Sequence, residues 1–266
     1  MYGTVCSATW LTPAMVRLVL GGDGLAGFPV PVHTDAYVNV AVPPPDAPYQ
    51  APFDLEVVRD AQPRHLQPAR RRYTVRRFDP VRGEVTLDVV AHHGGPGGTW
   101  AAGAMVGDAL VLTGPSGGYR PDPRADHHLL VGDESTLPAI AASLEVLPGG
   151  ARGTALLVVD GPDHELDLAH PEGVELRWLH RSGEPPRDAR LLPDAVAALP
   201  DLPGRVHAFV HGEAGEVREV RRHLLAERGL ERSALSCSPY WRRHLTDEAW
   251  RAVKRDWNAE VERDVV

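Results

Sequence analysis

Five arginines, Arg70, Arg71, Arg72, Arg76 and Arg77, crowd one short stretch, and Tyr73 and Thr74 sit among them as Arg71-Arg72-Tyr73-Thr74-Val75-Arg76. In a chain of formal net charge −8 this is the densest basic cluster, and any anionic ligand must be held by such a local feature. Guanidinium groups grip phosphate bidentately. A tyrosine ring and a hydroxyl beside them suit a ligand that carries both a flat ring and a phosphate. On a strand, alternation sets Arg71 and Tyr73 on one face and Arg72, Thr74 and Arg76 on the other. A second chemical stretch follows, His92-His93-Gly94-Gly95-Pro96-Gly97-Gly98-Thr99-Trp100-Ala101-Ala102. Its glycines permit close backbone approach, and a short helix over Thr99 to Ala104 would offer N–H groups and a positive dipole end to a pyrophosphate. Read alone, the first stretch also suits a solvated strand edge and the second a surface loop.

The elements that must position these residues are strands. Thr4–Leu11, Met15–Leu20, Asp35–Val42, Arg72–Phe78, Glu84–Ala91 and Ala109–Thr113 read as short β-runs, and Asp79-Pro80-Val81-Arg82-Gly83 reads as a hairpin turn. Six such strands predict a small antiparallel barrel. After Pro121-Asp122-Pro123 the rhythm changes. His127–Val131, Ala155–Asp160, Val174–His180 and Arg205–His211 read as strands. Between and after them, Thr136 to Leu147, Leu191–Leu199 and Gly215–Arg228 read as helices, which predicts a mostly parallel α/β sheet. Thr246 to about Arg263 reads as a last helix, with Thr246 as N-cap and Trp250 and Trp257 on one face. The expected architecture is an antiparallel six-stranded β-barrel over residues 1–122, then an α/β nucleotide-binding domain with a C-terminal helix over residues 123–266.

Several motifs are false leads. Gly22-Asp23-Gly24-Leu25-Ala26-Gly27 has dinucleotide-loop spacing, but Phe28-Pro29-Val30-Pro31 follows where a helix must open. Gly114-Pro115-Ser116-Gly117-Gly118 resembles a nucleophile elbow, yet Tyr119-Arg120-Pro121 follows in place of the helix that exposes the serine. The thirteen histidines contain no metal-ligand spacing, and Cys6 and Cys237 form neither a metal pair nor a disulfide framework. The acidic balance argues against nucleic-acid binding. Met1-Tyr2-Gly3-Thr4 shows no signal sequence, and no run reaches the ~18 apolar residues of a membrane span, so a cytoplasmic protein without metal is expected.

Five blocks, in order along the chain, resemble one family. Arg71-x-Tyr73-Thr74-x-Arg76 resembles the flavin motif of the ferredoxin-reductase superfamily in its siderophore-interacting form. His92 through Gly95-Pro96 to Trp100-Ala101 resembles that family's glycine-rich block, with Gly97 in place of alanine. Gly107-Asp108 with Gly114-Pro115, then Leu130-Val131-Gly132-Asp133-Glu134-Ser135-Thr136-Leu137-Pro138-Ala139-Ile140, and finally Tyr240-Trp241-Arg242-Arg243 are similar to its later segments. Asn39, Ser238-Pro239 and His244 depart from the family pattern, which often has lysine at the first place and usually glycine at the others.

The resemblance implies an FAD-dependent ferric-siderophore reductase. Arg71, Tyr73, Thr74 and Arg76 would hold the flavin, with His92 near its ring and Gly97, Gly98, Thr99 and Trp100 around the pyrophosphate. Asp133, Glu134, Ser135 and Thr136 would lie at the carboxyl edge of the sheet, where a nicotinamide cofactor or part of FAD is received. Tyr240 and Trp241 would cover flavin or adenine. Arg64, His65 and Arg242 would attract an anionic ferric chelate. Electrons would come from NADH, NADPH or a ferredoxin, and Asp160, closing its strand, leans toward NADH by the ribose-hydroxyl argument. No protein general base is assigned, because the cofactor carries the redox chemistry. Two other readings share these residues: a flavoprotein of this fold serving a biosynthetic reaction, and a flavin or ligand binder without turnover.

Overall fold

The computed structural model describes residues 1–91, 95–182 and 190–264. The chain divides into two compact units, Met1–Arg120 and Pro121–Val266.

The first unit is a closed antiparallel barrel of β1 (Tyr2–Thr12), β2 (Met15–Gly21), β3 (Tyr37–Val42), β4 (Ala69–Asp79), β5 (Glu84–Val90) and β6 (Ala109–Ser116), in the order β1-β2-β5-β4-β3-β6. The alternation seen in the sequence is what closes it. Leu18 and Leu20, Val38 and Val40, Val85, Leu87 and Val89, and Leu110 and Leu112 all point inward and are buried. Each such aliphatic side chain contributes roughly 1.5–3 kcal/mol, and closure leaves no unpaired edge.

Two helices interrupt the barrel. α1 (Leu55–Ala61), capped by the Asp54 carboxylate on the N–H groups of Glu56 and Val57, was not legible in the sequence. Its apolar positions are mostly exposed, with Val58 alone buried, so it has almost no amphipathic stripe to read. α2 (Pro96–Ala102) starts three residues before the expected Thr99. Pro96 sets the helical φ at the first position, where a missing N–H costs nothing.

The second unit is a five-stranded parallel sheet, order β11-β10-β7-β8-β9: β7 (His127–Asp133), β8 (Gly153–Val159), β9 (Val174–His180), β10 (Val206–Glu213) and β11 (Leu235–Trp241). β7 and β8 are buried along their whole length, as central parallel strands are, around the apolar runs Leu129-Leu130-Val131 and Ala155-Leu156-Leu157-Val158-Val159. α3 (Leu137–Glu145), α4 (Leu191–Ala197) and α5 (Ala214–Arg222) form the crossovers. The chain runs from β7 outward to β8 and β9, then returns to lay β10 and β11 on the other side, so the order reverses between β7 and β10. Ligands of such sheets bind outside the carboxyl ends at that reversal.

β11 was not expected as a strand, because Ser236, Ser238 and Pro239 read as loop residues. It is an edge strand, where a proline without an N–H is tolerated. α6 (Asp247–Arg263) begins at Thr246, whose hydroxyl accepts the Ala249 N–H at 3.2 Å. Trp250, Trp257 and Val261 of α6 pack with Ala214 in a small cluster apart from the main sheet core. No described helix is long and apolar enough to cross a membrane.

Candidate functional site

In the barrel, β4 and the first turn of α2 bring three expected residues together. A Cβ added at Gly97 would lie 2.1 Å from the Tyr73 hydroxyl and 3.0 Å from Cγ of Arg71. The backbone of Gly97 thus rests directly on the tyrosine hydroxyl and the arginine stem, an approach open only to glycine. Gly98 is buried beside it, and Trp100 packs against the barrel core. Thr99 lies past the helix start, its N–H bonded to the Gly95 carbonyl at 2.9 Å, so the first-turn backbone belongs to Gly97 and Gly98 and not to Thr99. His92 lies outside the described residues.

The expected alternation of β4 fails at its centre. A register shift between Val75 and Arg77 puts Thr74 and Val75, neighbours in sequence, both in the buried class. This is the signature of a β-bulge, in which one extra residue re-aims those around it. Arg76 is turned onto the buried Asp88, with Nε 3.8 Å from Oδ2. Asp88 also takes a bidentate pair from Arg17, Nε and Nη2 each at 2.7 Å. Arg76 therefore sits apart from Arg71, which keeps company with Tyr73 and Gly97. Arg72 is exposed, stands 5.4 Å over the Tyr37 ring and reaches Asn39 Oδ1 at 3.4 Å.

Arg64 and His65 form an exposed turn that leads into β4. Residues missed in the sequence hold this turn. Tyr49 donates its hydroxyl to the Leu66 carbonyl at 2.7 Å, and the Gln67 amide donates to the carbonyls of Arg59 and Gln62, both at 3.0 Å. α1 therefore serves to anchor the basic turn.

In the α/β unit, Asp133 ends β7 at the topological reversal and is 1% exposed. Its Oδ1 accepts the N–H and hydroxyl of Ser135 at 2.9 and 2.5 Å; its Oδ2 accepts the Glu213 N–H at 3.0 Å and the Trp241 indole N–H at 2.7 Å. Gly212, at φ +134°, makes room for this carboxylate, since a Cβ there would lie 2.7 Å from Oδ2. Thr136 donates to the Asp133 carbonyl at 2.7 Å. The Asp-Glu-Ser-Thr segment is thus a tightly bonded turn whose aspartate joins β7, β10 and β11. Its role is to shape the edge, with its oxygens facing inward.

Glu213, absent from the expected site, caps α5 by accepting the N–H groups of Gly215 and Glu216 at 2.7 and 3.0 Å. An acid directly between the end of a strand and a small-residue helix start was the available signal. Arg243 bridges it to Glu216, with Nη2 3.3 Å from Glu216 Oε2. Burial, against the pull of Arg243, pushes the Glu216 carboxyl up to about 7. Glu134 is bound to Arg181, also missed in the sequence, through Nη2 to Oε2 at 2.8 Å and a second contact from Nη1 to Oε1. Burial raises the Glu134 carboxyl and Arg181 opposes that rise.

Tyr240 stands edge-on to the His211 ring at 5.2 Å, and His211 stacks on Phe209 at 3.8 Å. Trp241 is 37% exposed. Arg242 is exposed, with its guanidinium 5.9 Å from the Trp250 ring of α6. His244 has φ 64°, in the left-handed region that glycine enters most readily.

Comparison with known proteins shows the family of the chain. The model of the siderophore-interacting FAD-binding domain matches residues 4–119, and that of the siderophore-interacting protein matches residues 125–244. The chain belongs to the siderophore-interacting protein family. It is 35% identical over 252 residues to the ferric vibriobactin reductase ViuB of Vibrio cholerae, covering 91% of this chain and 89% of that one. It is 30% identical over 243 residues to the NADPH-dependent ferric-chelate reductase of Escherichia coli, covering 90% and 91%. The crystal structure of a siderophore utilization protein from T. fusca superposes with a TM-score of 0.81 at 37% identity, over 93% of this chain and 94% of that one. As a siderophore-interacting protein the chain is a flavin oxidoreductase, and the close packing of Gly97 on Tyr73 and Arg71 lies within the matched FAD-binding domain.

Proposed function

We propose that this siderophore-interacting protein takes electrons from NAD(P)H, passes them through FAD, and reduces a ferric siderophore to release ferrous iron. The observation that carries the reading is the Gly97–Tyr73–Arg71 cradle in a closed barrel. Arg71, Tyr73 and Thr74 would hold the flavin and its phosphate, with the backbone of Gly97 and Gly98 against the pyrophosphate. Bound FAD would accept two electrons as a hydride and deliver them singly, so one NAD(P)H serves two ferric ions. The protein's own groups bind and orient; none need move a proton.

The α/β unit would receive the nicotinamide donor at its carboxyl edge, on the floor made by Asp133, Ser135 and Thr136. Tyr240 and Trp241 would add an aromatic surface there. Arg64, with His65 beside it, is exposed in the first unit and would attract an anionic chelate; Arg242, exposed in the second unit, is a further candidate cation taken by itself. A nicotinamide donor would place the reaction in the cytoplasm, and ferredoxin is the alternative donor of the same chemistry.

The test is anaerobic. The purified protein, loaded with FAD, is mixed with NADH or NADPH and then with a ferric siderophore, while flavin absorbance and ferrous iron are followed. Bleaching, then recovery with ferrous iron appearing, is the expected result. A flavin bleached by neither nucleotide but by reduced ferredoxin would move the donor. Failure to bind FAD at all would overturn the reading.

A further inference from the structure

The carboxyl ends of β7, β8 and β9 carry an ion network that no part of the flavin cradle requires. Arg181, the residue after β9, is tied to the neighbouring strand through its N–H to the Val159 carbonyl at 3.0 Å. Its guanidinium reaches back to both oxygens of Glu134 after β7 and to Asp160 Oδ1 after β8 at 3.1 Å. The Arg181 side chain is only 11% exposed, whereas that of Asp160 is 48% exposed. His180, the last residue of β9, is likewise paired, with Nε2 2.7 Å from Glu165 Oε1. So the basic residues at and just after the end of β9, His180 and Arg181 among the described residues, already face carboxylates, and two carboxylates share the one guanidinium.

We infer that this edge selects NADH over NADPH, with Asp160 as the specificity-determining residue. The inference rests on the reading that a nicotinamide nucleotide is the donor. A ribose diol donates hydrogen bonds to a carboxylate, and Asp160 offers that acceptor at a strand end facing solvent. A 2′-phosphate brings about −1.5 to −2 charges to the same carboxylate. Among the described residues at these strand ends, the arginine that could neutralise it, Arg181, is held at low exposure by Glu134 and Asp160 together. Releasing it would leave Glu134, itself largely buried, without its partner, which is costly for an ionised group. The arrangement therefore differs in its consequence from the Escherichia coli relative, whose name specifies NADPH.

The experiment measures kcat/KM for flavin bleaching with NADH and NADPH, and the affinity for 5′-AMP and adenosine 2′,5′-bisphosphate by calorimetry, in the FAD-loaded protein. Wild type is expected to favour NADH and 5′-AMP at least tenfold. Asp160→Asn should bring both ratios within about threefold of unity, and Asp160→Glu should retain the preference. A wild type that favours NADPH, or a ratio untouched in Asp160→Asn, would overturn the inference. Flavin content of each variant reports on folding, and the Asp160→Glu arm keeps the test decisive should Asp160→Asn lose FAD. Ferrous iron release is read separately. Bleaching by NADH without iron reduction would sink the siderophore reading and leave the selectivity standing, whereas equal bleaching by both nucleotides with iron released would do the reverse. Absence of both bleaching and nucleotide binding would overturn the inference, and would overturn the siderophore reading too if reduced ferredoxin also released no ferrous iron.

Discussion

The indole N–H of Trp241 donates to Oδ2 of Asp133 at 2.7 Å, the same oxygen that accepts the backbone N–H of Glu213. One buried carboxylate oxygen thus joins the central strand β7 to β10 and to the edge strand β11. Trp241 is fixed in place by a residue whose sequence context, Gly132-Asp133-Glu134-Ser135, reads as a ligand loop.

Trp241→Phe should therefore cost stability as well as aromatic surface. Loss of one hydrogen bond to a charged acceptor predicts about 1.5–3 kcal/mol in urea denaturation of the holoprotein. Asp133→Ala should cost more, because it also orphans the Glu213 N–H. Equal stability of Trp241→Phe and wild type would show that the bond contributes nothing in solution.

Gly97→Ala should abolish tight flavin binding, since the new methyl group would occupy the position of the Tyr73 hydroxyl. In Gly97→Ala/Tyr73→Phe the nearest ring carbon would stand 3.2 Å away, which a small shift relieves. The double variant should recover part of the flavin absorbance that the single variant loses. Full FAD content in Gly97→Ala alone would mean that the cradle is not where FAD sits.

Arg71→Ala and Arg76→Ala should separate in their effects. Arg71 lies in the cradle, so its loss should weaken FAD at least tenfold with little change in the melting temperature of the apoprotein. Arg76 faces the buried Asp88, so its loss should lower that melting temperature and weaken FAD less. A reversed pattern, read by flavin titration and thermal melts, would assign the phosphate-gripping role to Arg76 in place of Arg71.

Glu216 should make stability fall as pH rises. Its carboxyl is about 7 in the fold because burial disfavours the charged form, and one oxygen, Oε1, is buried without a hydrogen-bond partner. The folded value lies above the unfolded one, so the group's full contribution is present below about pH 4 and is lost as pH passes through about 7. Glu216→Gln should flatten the stability profile between those limits, gaining up to about 3 kcal/mol at the alkaline end. Parallel profiles for variant and wild type would place the titration elsewhere.

The barrel was legible because its strands alternate cleanly, as in Val38-Asn39-Val40 and Val85-Thr86-Leu87, and each turn carries its own chemistry. The parallel sheet was legible through the apolar runs of β7 and β8. What escaped did so for physical reasons. β11 has a serine-rich, proline-containing sequence that only its place at a sheet edge makes a strand. The bulge in β4 depends on pairing with β5, so the sequence of β4 alone assigns Thr74 and Arg76 to the same face. In the candidate site, Arg71, Tyr73 and Gly97, which the structure brings together, could be named from the family resemblance of their motifs. Arg181 and Glu213 could not, because each acquires its role from a partner on another strand.

The small cluster of Trp250, Trp257, Val261 and Ala214, with the contacts of Arg218 and Arg221 to Asp264, Val261 and Glu262, is what holds the end of the chain, and it should open at its own threshold. α6 also holds the edge strand directly, through Lys254 Nζ to the Pro239 carbonyl at 2.5 Å. A cluster of four residues is a weak cooperative unit beside either main core. Amide hydrogen exchange should therefore show α6 and β11 opening together, well before β7 or the barrel strands. The indole clasp on Asp133 would then be a latch, released while the rest of the molecule stays folded.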